Sequence, residues 1–170
     1  MAASRYEKYV VRKPAIINRD GQHVVPERIE VAGRVDTGPL VWCSRELIVE
    51  SNIGVESGII SGDITVGTGS AGTFAPHKHD FDEMFLFLGT NPKDISDLGA
   101  EAEFWLGEGE ELEKVVLNTS ACVYVPAGLA HFPLTWKNVE RPCMFVVIAC
   151  TAFGPGLYKQ EPASLEGRPR

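Results

Sequence analysis

Two short stretches of this chain hold the residue types from which a metal centre is built. The first is GTFAPHKHDFDEMFLFLG, which places His77 and His79 two apart and Glu83 four residues later. On an extended strand, residues two apart point to the same side, so both imidazoles can reach one ion. A straight strand would carry Glu83 about 13 Å beyond His79, too far to share that ion. Asp80-Phe81-Asp82 must therefore turn, and Asp is a turn former. Glu83 then opens the next strand beside the histidines, with Phe85 and Phe87 on its side as walls of the same cavity. Asp80 and Asp82 read as turn residues, either being a less favoured substitute for Glu83 as the carboxylate ligand.

The second stretch is CVYVPAGLAHFPLTW. Pro126 suits the second position of a type I turn and Gly128 the fourth, which reverses the chain and starts the returning strand at His131. Two reversals then bring His77, His79, Glu83 and His131 to neighbouring strand ends, where three imidazoles and a carboxylate converge on one divalent ion per chain. Either stretch alone is a common pattern; the two together, with a carboxylate at the right offset, predict a site. The fourth histidine, His23, reads as a surface residue.

These stretches resemble the paired motifs of the cupin superfamily, a jelly-roll β-barrel. Gly72, His77, His79, Glu83 and Gly89 follow the first motif, with each glycine one residue nearer than usual. Pro126, Gly128 and His131 follow the second, while Ser120 stands where its leading Gly belongs and Thr135 where its Asn belongs. The resemblance covers about residues 55–150 and implies fold and metal far more than reaction, because cupins host dioxygenases, isomerases, decarboxylases, lyases and storage proteins.

Four protein ligands leave two open positions on an octahedral ion, which suits Fe(II), Mn(II) or Ni(II), and a water-ligated zinc also fits. Those positions admit a small chelating organic acid or enol as substrate. The reading favoured on superfamily breadth is an oxygen-using, dioxygenase-type oxidoreductase. The alternatives are a redox-neutral lyase, isomerase or decarboxylase using the ion as a Lewis acid, and a non-catalytic small-molecule-binding cupin. Trp105 is a further candidate wall. Tyr124 reads as packing and Arg45 as a solvated residue.

The elements that must position these residues read as all-β. The chain has 170 residues, 44% of them apolar, and 17 glycines, an excess that belongs to turns. Strand-like runs follow in quick succession: ELIVES, GIISGDITVG, EMFLFLG, EAEFWLG, EKVVLN, CVYVPAG and CMFVVIAC. The expected organisation is an irregular arm with short strands over 1–40, including KYVV and PAII, a cupin barrel over 41–154, and an extended tail over 155–170. Between the motifs, TNPKDISDLGAE reads as a surface insertion in a hairpin, with a lid at the barrel mouth as the alternative.

The net charge of −7 argues against nucleic acid as the main partner. No run of signal-peptide or membrane-spanning length appears, so no membrane partner and a cytoplasmic location are expected. Cys122 and Cys150 sit in apolar runs and read as small buried hydrophobes, and no CxxC pair signals zinc or redox chemistry. An open jelly roll has edges to cover, so a homodimer is expected, with Val10, Val11, Ile16 and Ile17 of the arm buried across it. The rival reading has the arm add a strand to its own barrel.

Overall fold

A computed structural model describes residues 5–10, 16–17, 23–24, 41–43, 45, 48–68, 75–152 and 161–169. Among them are thirteen strands of two to ten residues and two single 3₁₀ turns, at Glu7–Tyr9 and Gly109–Glu111. No described helix is long and apolar enough to cross a membrane.

Strands β1 (Ile16–Ile17) and β2 (His23–Val24) pair with each other in a two-stranded ribbon of their own. Two larger antiparallel sheets follow. One runs, in spatial order, β10 (Ala121–Val125), β7 (Glu83–Leu88), β12 (Cys143–Ala149), β4 (Gly54–Ile60) and β3 (Val41–Cys43). The other runs β13 (Glu161–Pro162), β6 (His77–Lys78), β11 (His131–Lys137), β8 (Asp97–Leu106) and β9 (Glu113–Thr119), with β5 (Ile64–Val66) also pairing with β11.

Alternation places the core. On β7, Glu83, Phe85 and Phe87 are buried while Met84, Leu86 and Leu88 are half-exposed. Phe85, Phe87, Phe104, Leu134 and Trp136 fill the space between the sheets, each at most 1% exposed. Burying side chains of this size contributes about 1.5–3 kcal/mol apiece. In β11 the alternation breaks at a register shift between His131 and Leu134, so that four consecutive residues from His131 are buried.

Several expectations need correction. Of ELIVES, the described residues 48–50 form a turn closed by the Ser51 N–H on the Ile48 carbonyl (2.8 Å); the strand begins instead at Gly54. The three-residue strand at Val41 and the two-residue strand at His77 are too short to leave a pattern in the sequence. Of KYVV, Lys8 and Tyr9 belong to a 3₁₀ turn, Val10 follows it, exposed, and Val11 lies outside the described residues. Cys122 and Cys150 are exposed, and Cys143 is the buried thiol. Parity is the reason for Cys122, because Ala121, Val123 and Val125 take the inner positions of β10.

The stretch after Gly89 divides in two. Residues 97–101 belong to β8, and only 90–96 form a loop, tied by Asn91, Asp94 and Ser96 to its own backbone. This loop leaves β7 at the end opposite Glu83, about 20 Å along the strand, so it is a surface insertion and no lid over the histidines. Ser120, the departure from the second motif, holds it. Its hydroxyl accepts the Gly89 N–H (2.8 Å) and donates to the Ile95 carbonyl (2.6 Å). Gly89 itself has no room for a side chain, since a Cβ there would lie 1.9 Å from the Asp97 carbonyl oxygen.

Residues 161–169 are also more than an extended tail. β13 pairs with β6, matching Pro162 to His77 and Glu161 to Lys78. Arg168 is buried, donating from Nε to the Ser164 carbonyl (2.9 Å) and from its two terminal nitrogens to the carbonyls of Phe132 and Gly107. The strand that carries His77 is therefore enclosed between β13 and β11.

A candidate metal centre between the sheets

His77 and His131 are direct partners in the β6–β11 pairing, and their ring centroids are 4.7 Å apart. His79 follows β6, with its ring 4.7 Å from His77 and 5.2 Å from His131. One ligand atom from each of the three lies within 4.8 Å of the others, and all three residues are buried. The chain turns over residues 80–82, and Glu83 opens β7 in the facing sheet. Its Oε2 lies 3.2 Å from His131 Nε2 and 3.4 Å from His79 Nε2. The four ligands expected from the motifs thus meet at one end of the space between the sheets.

The two motif turns are stitched to each other. The Gly128 N–H donates to the His79 carbonyl (2.7 Å), the Ala127 N–H to the Asp82 carboxylate (2.9 Å), and the Cys150 N–H to the Asp82 carbonyl (2.9 Å). Asp82 also bonds the Tyr124 hydroxyl, and these bonds hold its carboxyl below its usual range. Its role is to join the turns, while Asp80 is exposed. The turn is shifted by one residue from the expected register. The Leu129 N–H closes on the Pro126 carbonyl (3.1 Å), so Gly128 takes the third position at φ 85°, a conformation that favours glycine.

The polarity of the cluster suits a cation. His77 Nδ1 lies 2.7 Å from the Ala75 carbonyl and His131 Nδ1 3.1 Å from the Leu129 carbonyl. A carbonyl only accepts, so Nδ1 carries the proton in both rings, leaving the Nε2 lone pair for the centre. Burial, then the neighbouring His131, pushes His77 down to about 4, so it is neutral at physiological pH. Burial raises Glu83, but the imidazoles of His131 and His79 beside it outweigh that and hold the carboxyl at about 2. Among the described residues, neither Glu83 Oε2 nor His131 Nε2 has an aligned hydrogen bond. Inward-facing lone pairs and a buried carboxylate are the donor set of a divalent ion, and these residues fit one.

Aromatic rings wall the cluster. Phe85 meets His131 edge-on at 5.5 Å, Phe81 stacks on His79 at 4.4 Å, and Phe132 stacks on His77 at 5.5 Å. Phe87 lies further along β7, where its ring neighbours are Phe104, Trp136 and Phe145. Phe104, not Trp105, faces inward from β8, 5.0 Å from Phe85 and 6.4 Å from His131. Tyr124 and Arg45 are exposed. The sequence reading missed Phe81, Phe104 and Phe132, and it missed an inward carboxyl, Glu56 on β4.

No protein-family model and no curated protein matches the chain. Solved structures do. The capsular polysaccharide assembling protein CapF from Staphylococcus aureus aligns at TM-score 0.50 and 13% identity, over 77% of this chain and 31% of CapF. The chain has the cupin fold. Pumpkin pro-11S globulin aligns at TM-score 0.47 and 8% identity, over 81% of this chain and 30% of that one. Oxalate decarboxylase from Bacillus subtilis aligns at TM-score 0.42 and 13% identity, over 71% of this chain and 27% of that one. The chain spans about a third of the length of these neighbours.

Proposed function

We propose that this cupin is a metal-dependent enzyme acting on a small organic acid or enol, with one divalent ion (Zn, Fe, Mn or Ni) held per chain by His77, His79, Glu83 and His131. The observation that carries it is the convergence of three buried imidazoles and a buried carboxylate between two sheets. An isolated buried carboxylate is costly, and this one faces a cluster that a cation would neutralise. When bound, the ion supplies Lewis acidity and, if it is iron, oxygen chemistry. The chain itself keeps the imidazole lone pairs aimed inward through the Ala75 and Leu129 carbonyls, and it excludes water with Phe81, Phe85 and Phe132.

Oxygen-using, dioxygenase-type oxidation is the first reading of the reaction. A redox-neutral lyase, isomerase or decarboxylase is the second, and the inward carboxyl of Glu56 favours it by supplying a group for proton transfer. The substrate is a small molecule, and the assembly is proposed to be a homodimer. The test is a screen of small keto acids, hydroxy acids and phenols with Fe(II), Mn(II) and Zn(II), following oxygen consumption and ultraviolet absorbance together. Oxygen uptake with iron supports the first reading, and an absorbance change under nitrogen the second. Turnover falls at least about tenfold in Glu83→Gln, which removes the anionic ligand. Absence of turnover, with binding that ignores metal, returns the chain to the non-catalytic binding cupins.

A further inference from the structure

Glu56 is an acidic residue on the inner face of a barrel. On β4 it shares parity with Gly54, Gly58 and Ile60; both glycines are buried and Ile60 is part of the core. Across the sheet its direct partner is Val147 of β12, whose own partner on β7 is Phe85. Directly opposed residues of an antiparallel pair project from the same face, so Glu56, Val147 and Phe85 form one inward row. The adjacent row is Gly54, Ala149 and Glu83. Glu56 thus stands two strands, about 10 Å, and one row from the Glu83 ligand, on the same concave face.

No described residue hydrogen-bonds or ion-pairs with the Glu56 carboxyl. The side chain is surrounded by protein yet keeps some accessible surface. Its register partner on the other side, Trp42 of β3, is uncharged. The neighbouring row places glycine at 54 and 58, so nothing on β4 itself fills the space beside the carboxyl. Glu83 shares this face, and His77, His79 and His131 stand around it from the facing sheet. Cys143, two rows away, has a thiol that burial raises to about 11, so it is uncharged at neutral pH.

A carboxyl with no described partner, beside Val147 and in one row with Phe85, destabilises the fold unless it is neutral or meets a ligand. We propose that Glu56 is the proton-carrying contact for the substrate of this pocket, holding a small carboxylic acid whose other oxygens face the histidine cluster. This rests on the metal-centre reading for the ligand's second anchor. On binding, the Glu56 carboxylate takes one proton from solvent, and the resulting O–H donates a hydrogen bond to a carboxylate oxygen of the ligand. No other bond is made or broken in this step. Geometry places the group, and its titration agrees: burial, then the charge of Glu83, raises its carboxyl to about 7. A neutral carboxylic acid is thereby available near neutral pH to meet an anion.

The test is malonate binding by calorimetry in two buffers of different ionisation enthalpy, on zinc-loaded and metal-free protein, with zinc measured independently by elemental analysis. Malonate is a small dicarboxylate, and its recovery unchanged after the titration shows that the heat reports binding. At pH 7.5 the wild type takes up about half a proton or more per malonate, and its affinity falls as pH rises to 8.5. Glu56→Gln binds without that uptake and without that pH dependence. Glu56→Asp, which keeps the acid but shortens its reach, retains the uptake with weaker binding, and thermal melts show that both variants are folded. Equal uptake in wild type and Glu56→Gln overturns the inference whatever the zinc content, and so does a zinc-loaded wild type that fails to bind millimolar malonate. Protein that takes up no zinc overturns the metal reading instead, and the Glu56 comparison is then made on the metal-free chain.

Discussion

At the residue scale, the convergence of His77, His79, Glu83 and His131 was legible because its signal is local. Two imidazoles two apart, a carboxylate four residues on, and a proline-glycine turn before a third imidazole each constrain a few residues of backbone. Glu56 was not legible, because its direction depends on where its strand begins. With a strand placed at ELIVES the parity of Glu56 is undefined, and with the true start at Gly54 it falls inward alongside Gly58 and Ile60. Its energetics give a pH prediction. Folded Glu56 titrates at about 7 against an ordinary value of 4.5, so between those values the folded chain holds a proton that the unfolded chain has released. Its contribution to stability is therefore greatest at low pH and declines as pH rises from about 4.5 to 7. Glu56→Gln cannot ionise, so the metal-free variant should melt higher than wild type at pH 8 and differ much less at pH 5. The same difference in melting temperature at both pH values would refute this. Phe87→Ala tests a second residue. It removes a ring held among Phe104, Trp136 and Phe145, and should cost about 3–5 kcal/mol in chemical denaturation. Metal content should be unchanged, since its ring meets no histidine among the described contacts.

At the element scale, strands with apolar runs were readable and the pieces that enclose the site were not. β7, β10 and β12 announce themselves by apolar runs, whereas β6 and β13 are two residues each and exist because their neighbours hold them. The closing segment is the largest such surprise. A polar, proline-rich tail gives no periodic signal, yet Arg168 satisfies three backbone carbonyls, two of them beside His131 and at the end of β8. Arg168→Ala should destabilise the protein by about 2–3 kcal/mol, because it strips buried carbonyls of charged donors. It should also weaken zinc binding by loosening β6, measured by competition with a chromophoric chelator. Unchanged affinity would mean that the segment only decorates the barrel. Gly89→Ala is the complementary test at the far end. The Cβ it adds meets the Asp97 carbonyl, so stability should drop by about 1–3 kcal/mol or more with the metal site intact.

At the scale of the whole molecule, the fold class followed from many short strands with turn residues between them, and the cupin fold from two stretches that resemble that family's paired motifs. What lies outside the barrel was not legible, because an arm with isolated β-like pairs has no core of its own to dictate its path. Its described strands pair with each other. The outer face of the β10–β7–β12–β4–β3 sheet carries Met84, Leu86, Leu88, Met144, Val146 and Ile148, exposed or half-exposed. An apolar face of this extent favours association, and the proposed homodimer would cover it. Light scattering should find a dimer at micromolar concentration, and Leu86→Lys should shift it toward monomer; a monomeric wild type would refute the dimer. The central claim, one ion per chain in the histidine cluster, is tested most directly by elemental analysis of untagged protein. The account predicts about one equivalent of a divalent transition metal in wild type and in His23→Ala, and little in a His77→Ala/His79→Ala double variant. Equal metal in wild type and the double variant would contradict it.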